Sequence, residues 1–277
     1  MVRHPPTPHP MLLILPAPAD MAPWVQAGVA LHSDSALHVS QFPALSDGML
    51  TMRLAGDVQH AHGAPLPAEA LILPHAQARA YQHLGAVHVV GVVLRPAALP
   101  CLLGSSLTGL AGGVLPLDAL PDAAHWRRAR QHVADAATDA DRLAQLYAAL
   151  RQLLHPPRHL ASLHASQQLI HALHTHSLAT APSALGLSLR QLQRRSQALL
   201  GLTPKQYQAT QRMQAALLAA LRAPRADADM AAEYGFFDQS HMARELRRLA
   251  GAPLRELRHA QQPPAQHWPL QVGLRLR

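Results

Sequence analysis

The same plan occurs twice in the last hundred residues: a short apolar segment, a glycine, a capping residue, and an amphipathic helix closed by another glycine. In the first copy Leu178–Leu185 stops at Gly186, Ser188 can cap, and Leu189, Leu192, Leu199 and Leu200 form a stripe that ends at Gly201. In the second, Met230–Tyr234 runs to Gly235, Asp238 caps, and Met242, Leu246 and Leu249 make the stripe before Gly251. Ser and Asp side chains accept hydrogen bonds from the orphan amides of a first helical turn, and glycine enters the left-handed conformation that ends a helix. Each copy is therefore a helix-turn-helix candidate. Between them Thr203-Pro204 opens a helix carrying Tyr207, Met213, Leu217 and Leu221, and ahead of them Leu160, Leu163, Ile170 and Leu173 set another.

The polar faces of the two second helices have the chemistry of base and phosphate readout. The first presents Arg190, Gln191, Gln193, Arg194 and Gln197, the second Gln239, Ser240, His241, Arg244, Arg247 and Arg248. Arginine grips guanine O6 and N7 with two bonds, and glutamine does the same for adenine N6 and N7. Pro204 to Arg222 would span roughly 28 Å as a helix. That spacing suits two readers in successive major grooves, about 34 Å apart. The charge agrees. Residues 1–177 hold ten arginines and ten acids, whereas residues 178–277 hold 14 basic and 6 acidic side chains, which is the whole net charge of +8. A basic third joined to a neutral remainder points to a polyanion.

A chain of 277 residues suggests two domains. Residues 11–118 hold short apolar runs, Met11–Leu15, Met49–Leu54, Ala70–Leu73 and the β-branched Val87–Leu94, broken by turn formers such as Ser46-Asp47-Gly48 and Gly63-Ala64-Pro65. These read as strands. A helical stretch from about Ala123 to Leu154 follows, stopped by Pro156-Pro157, where the domain boundary is placed. The expected fold class is α+β, with a β-rich N-terminal domain with a helical end over 11–155, an all-α double helix-turn-helix domain over 158–258, and a mobile Gln- and Pro-rich tail over 259–277. Trp24, Arg53, Tyr81 and Arg95 are the polar or aromatic residues to test in a pocket of the first domain. One cysteine excludes an internal disulfide and thiolate metal cages, no stretch is long enough to span a bilayer, and Met11–Leu15 is too short for a secretory core. The expectation is a soluble, cytosolic protein without a membrane partner.

Gly186-Leu187-Ser188-Leu189-Arg190-Gln191-Leu192-Gln193-Arg194-Arg195, then Gly201-Leu202-Thr203-Pro204-Lys205-Gln206-Tyr207, then Gly235-Phe236-Phe237-Asp238-Gln239-Ser240-His241, with Arg244 and Gly251-Ala252-Pro253, closely resemble the AraC/XylS-type transcriptional regulators. The resemblance covers about residues 160–258 and implies a seven-helix DNA-binding domain of a bacterial, nucleoid-associated cytoplasmic regulator. By motif position it puts DNA contacts on Arg190, Gln193 and Arg194, and on Gln239, Ser240, His241 and Arg244. Pro16-Ala17-Pro18 with Trp24-Val25-Gln26, Asp47-Gly48, and Gly91-Val92-Val93-Leu94-Arg95-Pro96 before Leu102-Leu103-Gly104 are similar to an effector-type domain found in front of this module. The implied partners are double-stranded DNA, a small-molecule effector, RNA polymerase and a second copy of the chain.

Departures from the family pattern carry their own expectations. Ser196, Met242, Leu246, Ala250 and Leu257 stand where the family has large aromatics. Pro182 falls within the short helix that supports the first reader, where an interior proline costs about 3 kcal/mol. Ser196 and Pro182 together predict a first reader that docks less firmly than the second. A second reading therefore stays open, a protein-interaction or ligand-sensing module whose DNA binding has been weakened or lost. His171, His174 and His176 are the tightest histidine cluster, but His176 points away and no nearby Cys or carboxylate completes a site, so no metal or other cofactor is expected. No nucleophile elbow, phosphate loop or paired carboxylates are present. Cys101 lies in Pro100-Cys101-Leu102, an inert core setting that lacks the Pro-Cys-His context of a repair methyltransferase. No enzyme is expected.

Overall fold

A computed structural model describes residues 11–61, 63–155, 159–222, 227–258 and 265–270. The N-terminal half is built on one antiparallel sheet. Its strands are β1 (Met11–Pro16), β2 (Val25–Ser33), β3 (Val39–Phe42), β4 (Gly48–His60), β5 (Glu69–Ile72), β6 (Arg79–Leu94) and β7 (Val114–Pro116). The order is β1-β2-β6-β4-β5-β7, with β3 also on β6. The sixteen-residue β6 is the spine. Its first half pairs β3, its second half pairs β2, and β4 runs along its other edge. The four apolar runs of the sequence fall on strands, with only Leu73 lying past the end of β5, and β4 and β6 extend well beyond them.

Strand alternation divides the side chains into two layers. Leu50, Met52, Val90, Val92 and Leu94 enter a core covered by helices α1 (Ala98–Leu103), α2 (Ala123–Asp135) and α3 (Asp139–Leu154). Val29, Leu31, Met49 and Val93 face the opposite way, into a second cluster with Phe42 and Tyr81. The helical stretch expected over 123–154 is divided into two helices. Ala136 is extended, and Thr138 starts α3 by accepting a hydrogen bond from the Asp141 amide. The Pro156-Pro157 boundary lies outside the described residues.

Seven helices are described in the remainder: α4 (Leu160–Thr175), α5 (Ala181–Ala184), α6 (Leu189–Leu200), α7 (Pro204–Arg222), α8 (Asp227–Glu233), α9 (Gln239–Ala250) and α10 (Leu254–Arg258). Leu169, Leu173, Leu192, Leu200 and Tyr207 pack the first helix-turn-helix unit, and Met213, Leu217, Met230, Phe236, Met242, Leu246 and Leu249 the second. α7 thus contributes to both. No described helix is long and apolar enough to cross a membrane.

Two sequence expectations about the first unit are corrected. Pro182 is not interior. α5 begins at Ala181, so the proline sits in its first turn, where no intrahelical amide bond is lost. Ser196 is fully buried, but its hydroxyl donates to the Leu202 carbonyl at 2.7 Å and so ties α6 to the turn that follows. Of the segment expected as a tail, residues 265–270 are described. Trp268 is only 4% exposed and packs into the sheet cluster, while Leu270 joins the core of the second unit, which also holds Ala250. The rest of the tail lies outside the described residues.

Candidate nucleic-acid interface

Both readers are twelve-residue helices with capped first turns. In α6 the Ser188 hydroxyl accepts from the Gln191 amide while the Gln191 side chain accepts from the Ser188 amide, at 3.2 and 2.8 Å. Gln191 is therefore a capping residue, which removes it from the face read as contacting DNA. In α9 the Asp238 carboxylate accepts from the His241 amide at 2.5 Å, and the His241 Nδ1 accepts from the Phe237 amide at 3.2 Å. This fixes the His241 ring edge-on to Phe236, half-buried, leaving Nε2 as its remaining polar atom.

Arg190, Gln193 and Arg194 of α6 are all exposed, as are Gln239, Ser240 and Arg244 of α9. Arg190, Arg194 and Arg244 make no hydrogen bond or ion pair among the described residues that would hold them back from a ligand. Arg248 is different. Its guanidinium donates to the Glu245 carboxylate and to the Ala76 carbonyl at 3.1 Å, so it belongs to the junction with the N-terminal half. Phe237, one residue before the α9 cap, is 91% exposed, and sequence periodicity gave no sign of it. Beneath α9, Phe236 is buried with the Arg212 guanidinium 5.1 Å above its ring centroid.

The readers are fixed to the N-terminal half at their C-terminal ends, away from the capped ends. The Leu107 amide donates to the Ala198 carbonyl of α6 at 3.0 Å, and the Ala44 amide to Leu249 of α9 at 2.6 Å. At Gly251 (φ 83°) a Cβ would lie 3.1 Å from Ala78, so glycine serves both the helix stop and the close approach.

Of the four residues expected in an N-terminal pocket, the structure brings two together. Arg53 and Tyr81 line an apolar cavity on the sheet face opposite the helices, with Val29, Leu31, Phe42 and Met49. Trp24 is instead buried in the other layer, and Arg95 is exposed, its Nε donating to the Ala22 carbonyl. The separated sequence also hid a polar cluster. His32 and His88 face each other in register on β2 and β6, and both rings hydrogen-bond Asp139 of α3, at 2.7 and 2.9 Å. Arg142 donates to the same carboxylate at 2.9 Å. Burial raises the Asp139 pKa, but the bonds from His32, Arg142 and His88 outweigh it and hold the carboxyl below its ordinary value. One ligand atom each of His32, His88 and Asp139 lies within 4.8 Å of the others, which is metal-ligand reach. With two imidazoles and a guanidinium already on one carboxylate, the cluster reads as a closed network that ties α3 to the sheet. Of the His171, His174 and His176 group, His174 stacks on Tyr207.

A family model described as a helix-turn-helix domain matches residues 183–260. No curated protein matches the chain significantly. Among solved structures, ToxT from Vibrio cholerae aligns at 9% identity and a TM-score of 0.45, over 82% of this chain and 95% of that one. An unsaturated fatty acid-bound wild-type ToxT from the same organism aligns at 7% identity and a TM-score of 0.45, over 81% and 93%.

Proposed function

Residues 183–260 are an AraC-type helix-turn-helix domain of a DNA-binding transcriptional regulator, and from that premise we propose that α6 and α9 read successive major grooves on one face of the duplex. The observation that carries this is the pair of capped twelve-residue helices with Arg190, Arg194 and Arg244 exposed, joined through the nineteen-residue α7. Arg190, Gln193 and Arg194 contact one half-site, and Gln239, Ser240, His241 and Arg244 the other. Lys205, exposed at the start of α7, and Arg222 contact phosphate. The weakened-module reading has no support in the readers, because Pro182 and Ser196, which motivated it, are both accommodated.

The described N-terminal residues form the effector-sensing and self-association part, and the cavity beneath β4 and β6 is the effector site. Its walls are aliphatic and aromatic with Ser40, Thr51, Arg53 and His83 as polar groups, which suits a compact, mostly apolar molecule. The edge strand β1 leaves Met11 and Leu13 exposed, which supports self-association there. The protein acts by binding, without catalysis, at the nucleoid, and RNA polymerase is its partner at promoters.

The test is selection of bound sequences from a random duplex library with the full-length protein, followed by footprinting and a salt series. The expected result is a bipartite site with both halves informative. Affinity should fall about 10³-fold or more between 50 and 200 mM salt if six or more phosphates are contacted. Enrichment of no sequence, or salt-independent binding, would overturn the reading.

A further inference from the structure

The cavity assigned above as the effector site has a wall that belongs to neither the sheet nor its helices. After α10 the chain returns at residues 265–270, and the Trp268 indole enters the sheet cluster beside Phe42, their rings edge-on with centroids 5.4 Å apart. Its Nε1–H donates to the buried Ser40 hydroxyl at 2.7 Å, and the Ser40 hydroxyl in turn shares a 2.9 Å hydrogen bond with His83 Nε2. Trp268 also lines a second cavity, with Met213, Leu217 and Leu218 of α7. Trp268 thus stands with Phe42 and Met49 between the space inside the sheet and the space against α7, and alone of the three comes from the C-terminal part of the chain.

This seat has the features of a ligand site: apolar walls, an aromatic edge, and the buried Ser40 hydroxyl set to accept a hydrogen bond. The molecule it recognises is flat, aromatic and carries a single N–H or O–H donor, which is the chemistry of the side chain now in it. The cavity lies beside the indole, and the Ser40 hydroxyl already accepts the Trp268 N–H, so a molecule that takes that hydrogen bond requires the indole to leave. A tethered group competes at the effective concentration set by its tether. It therefore lowers the apparent affinity of any free ligand for the seat.

Resting on the reading of this cavity as the effector site, we propose that it takes an indole-like aromatic donor and that Trp268 is its internal competitor. Ligand entry then releases residues 265–270 from the sheet. A small molecule at the sheet is read by the DNA-binding half as loss of a contact of its own tail.

The experiment uses full-length protein with indole as probe, titrated calorimetrically against wild type, Trp268→Phe and Trp268→Ala. Indole should bind Trp268→Ala roughly ten-fold or more tightly than wild type, with Trp268→Phe between them because it keeps the packing but lacks the N–H. In the Trp268→Ala background, Ser40→Ala should weaken indole about five-fold, the effect of one ordinary hydrogen bond, and leave 1-methylindole unchanged. In wild type labelled with 5-fluorotryptophan, added indole should move the resonance assigned by Trp268→Phe and not those of Trp24 and Trp126. Equal indole affinity in wild type and both Trp268 variants, with the Trp268 resonance still, would overturn the competitor while leaving the cavity as an effector site. Failure of indole and of 1-methylindole to bind any of the proteins would overturn the cavity assignment together with the competitor.

Discussion

Arg244 and Arg248 lie one turn apart on α9, yet their surroundings give them different tasks. Arg244 is exposed and unheld among the described residues, whereas Arg248 is bound to Glu245 and to the Ala76 carbonyl. Arg244→Ala should cost about 1–3 kcal/mol at the selected site and relax preference at one base pair. Arg248→Ala should lower the melting temperature and change base preference little. Equal losses on specific and random DNA for Arg244→Ala, measured by competition binding, would reassign it to phosphate. Ser196 sets a second residue-scale test. Ser196→Ala leaves the buried Leu202 carbonyl without its partner and should cost about 1–3 kcal/mol of stability. A neutral result in chemical denaturation would show that the turn finds another donor. The exposed arginines could be read from the heptad-like spacing of the leucines around them. The partner of Ser196 could not, because nothing in sequence says that a serine six residues before Leu202 points back at its carbonyl.

Helix boundaries decided most of what sequence reasoning got right and wrong at the next scale. The caps Ser188 and Asp238 and the stops Gly201 and Gly251 act locally, through bonds within four residues, so they were legible. α5 was legible only as an apolar segment. Its first residue, on which the meaning of Pro182 depends, is set by the turn of Ser177 and Thr180 packing it against α4 and α6. The Thr138–Asp141 cap that splits α2 from α3 has the right residues, but continuous leucine spacing on the far side masked it. Two changes test the caps against the proline. Asp238→Ala removes the acceptor of the His241 amide, should cost about 1 kcal/mol, and should degrade the half-site proposed for Gln239, Ser240 and His241 more than the other. Pro182→Ala should leave stability within about 0.5 kcal/mol and both half-sites unchanged. A gain of binding in Pro182→Ala, seen in a base-by-base substitution scan, would restore the idea of a proline-weakened first reader.

How the two halves meet was invisible in sequence, because the joining bonds run between groups more than 90 residues apart, several of them backbone to backbone with no residue signature. The same holds for His32, His88 and Asp139, and for Trp268, which a Gln- and Pro-rich context disguised as tail. The junction nonetheless contains a titratable group with a definite sign. His75 is 3% exposed in the loop that receives Arg248, bridged through its backbone to Leu45. Its Nδ1–H donates to the Gln77 carbonyl at 2.7 Å, and its buried Nε2 has no hydrogen-bonding partner. Protonation would place an N–H where nothing accepts it. Burial is the main reason its pKa is pushed down to about 4; the Gln77 bond opposes the shift and the Arg79 charge adds to it. Unfolding restores an ordinary histidine near 6.5. Between these values the unfolded chain binds a proton that the folded chain refuses, so stability is full above about 6.5 and is lost as the pH falls toward 4. From pH 7.5 to pH 5 this group should remove about 2 kcal/mol, an upper figure because the unfolded reference is idealised. His83 and His267 are depressed by burial as well and steepen the same limb. His75→Asn keeps a donor for Gln77 but cannot titrate here. The variant should be less stable than wild type at pH 7.5 and should lose less on acidification, which melting curves across the range measure directly. Parallel pH profiles for the two proteins would mean that His75 is protonated in the folded state and that the loop under α9 opens to water more readily than its burial indicates.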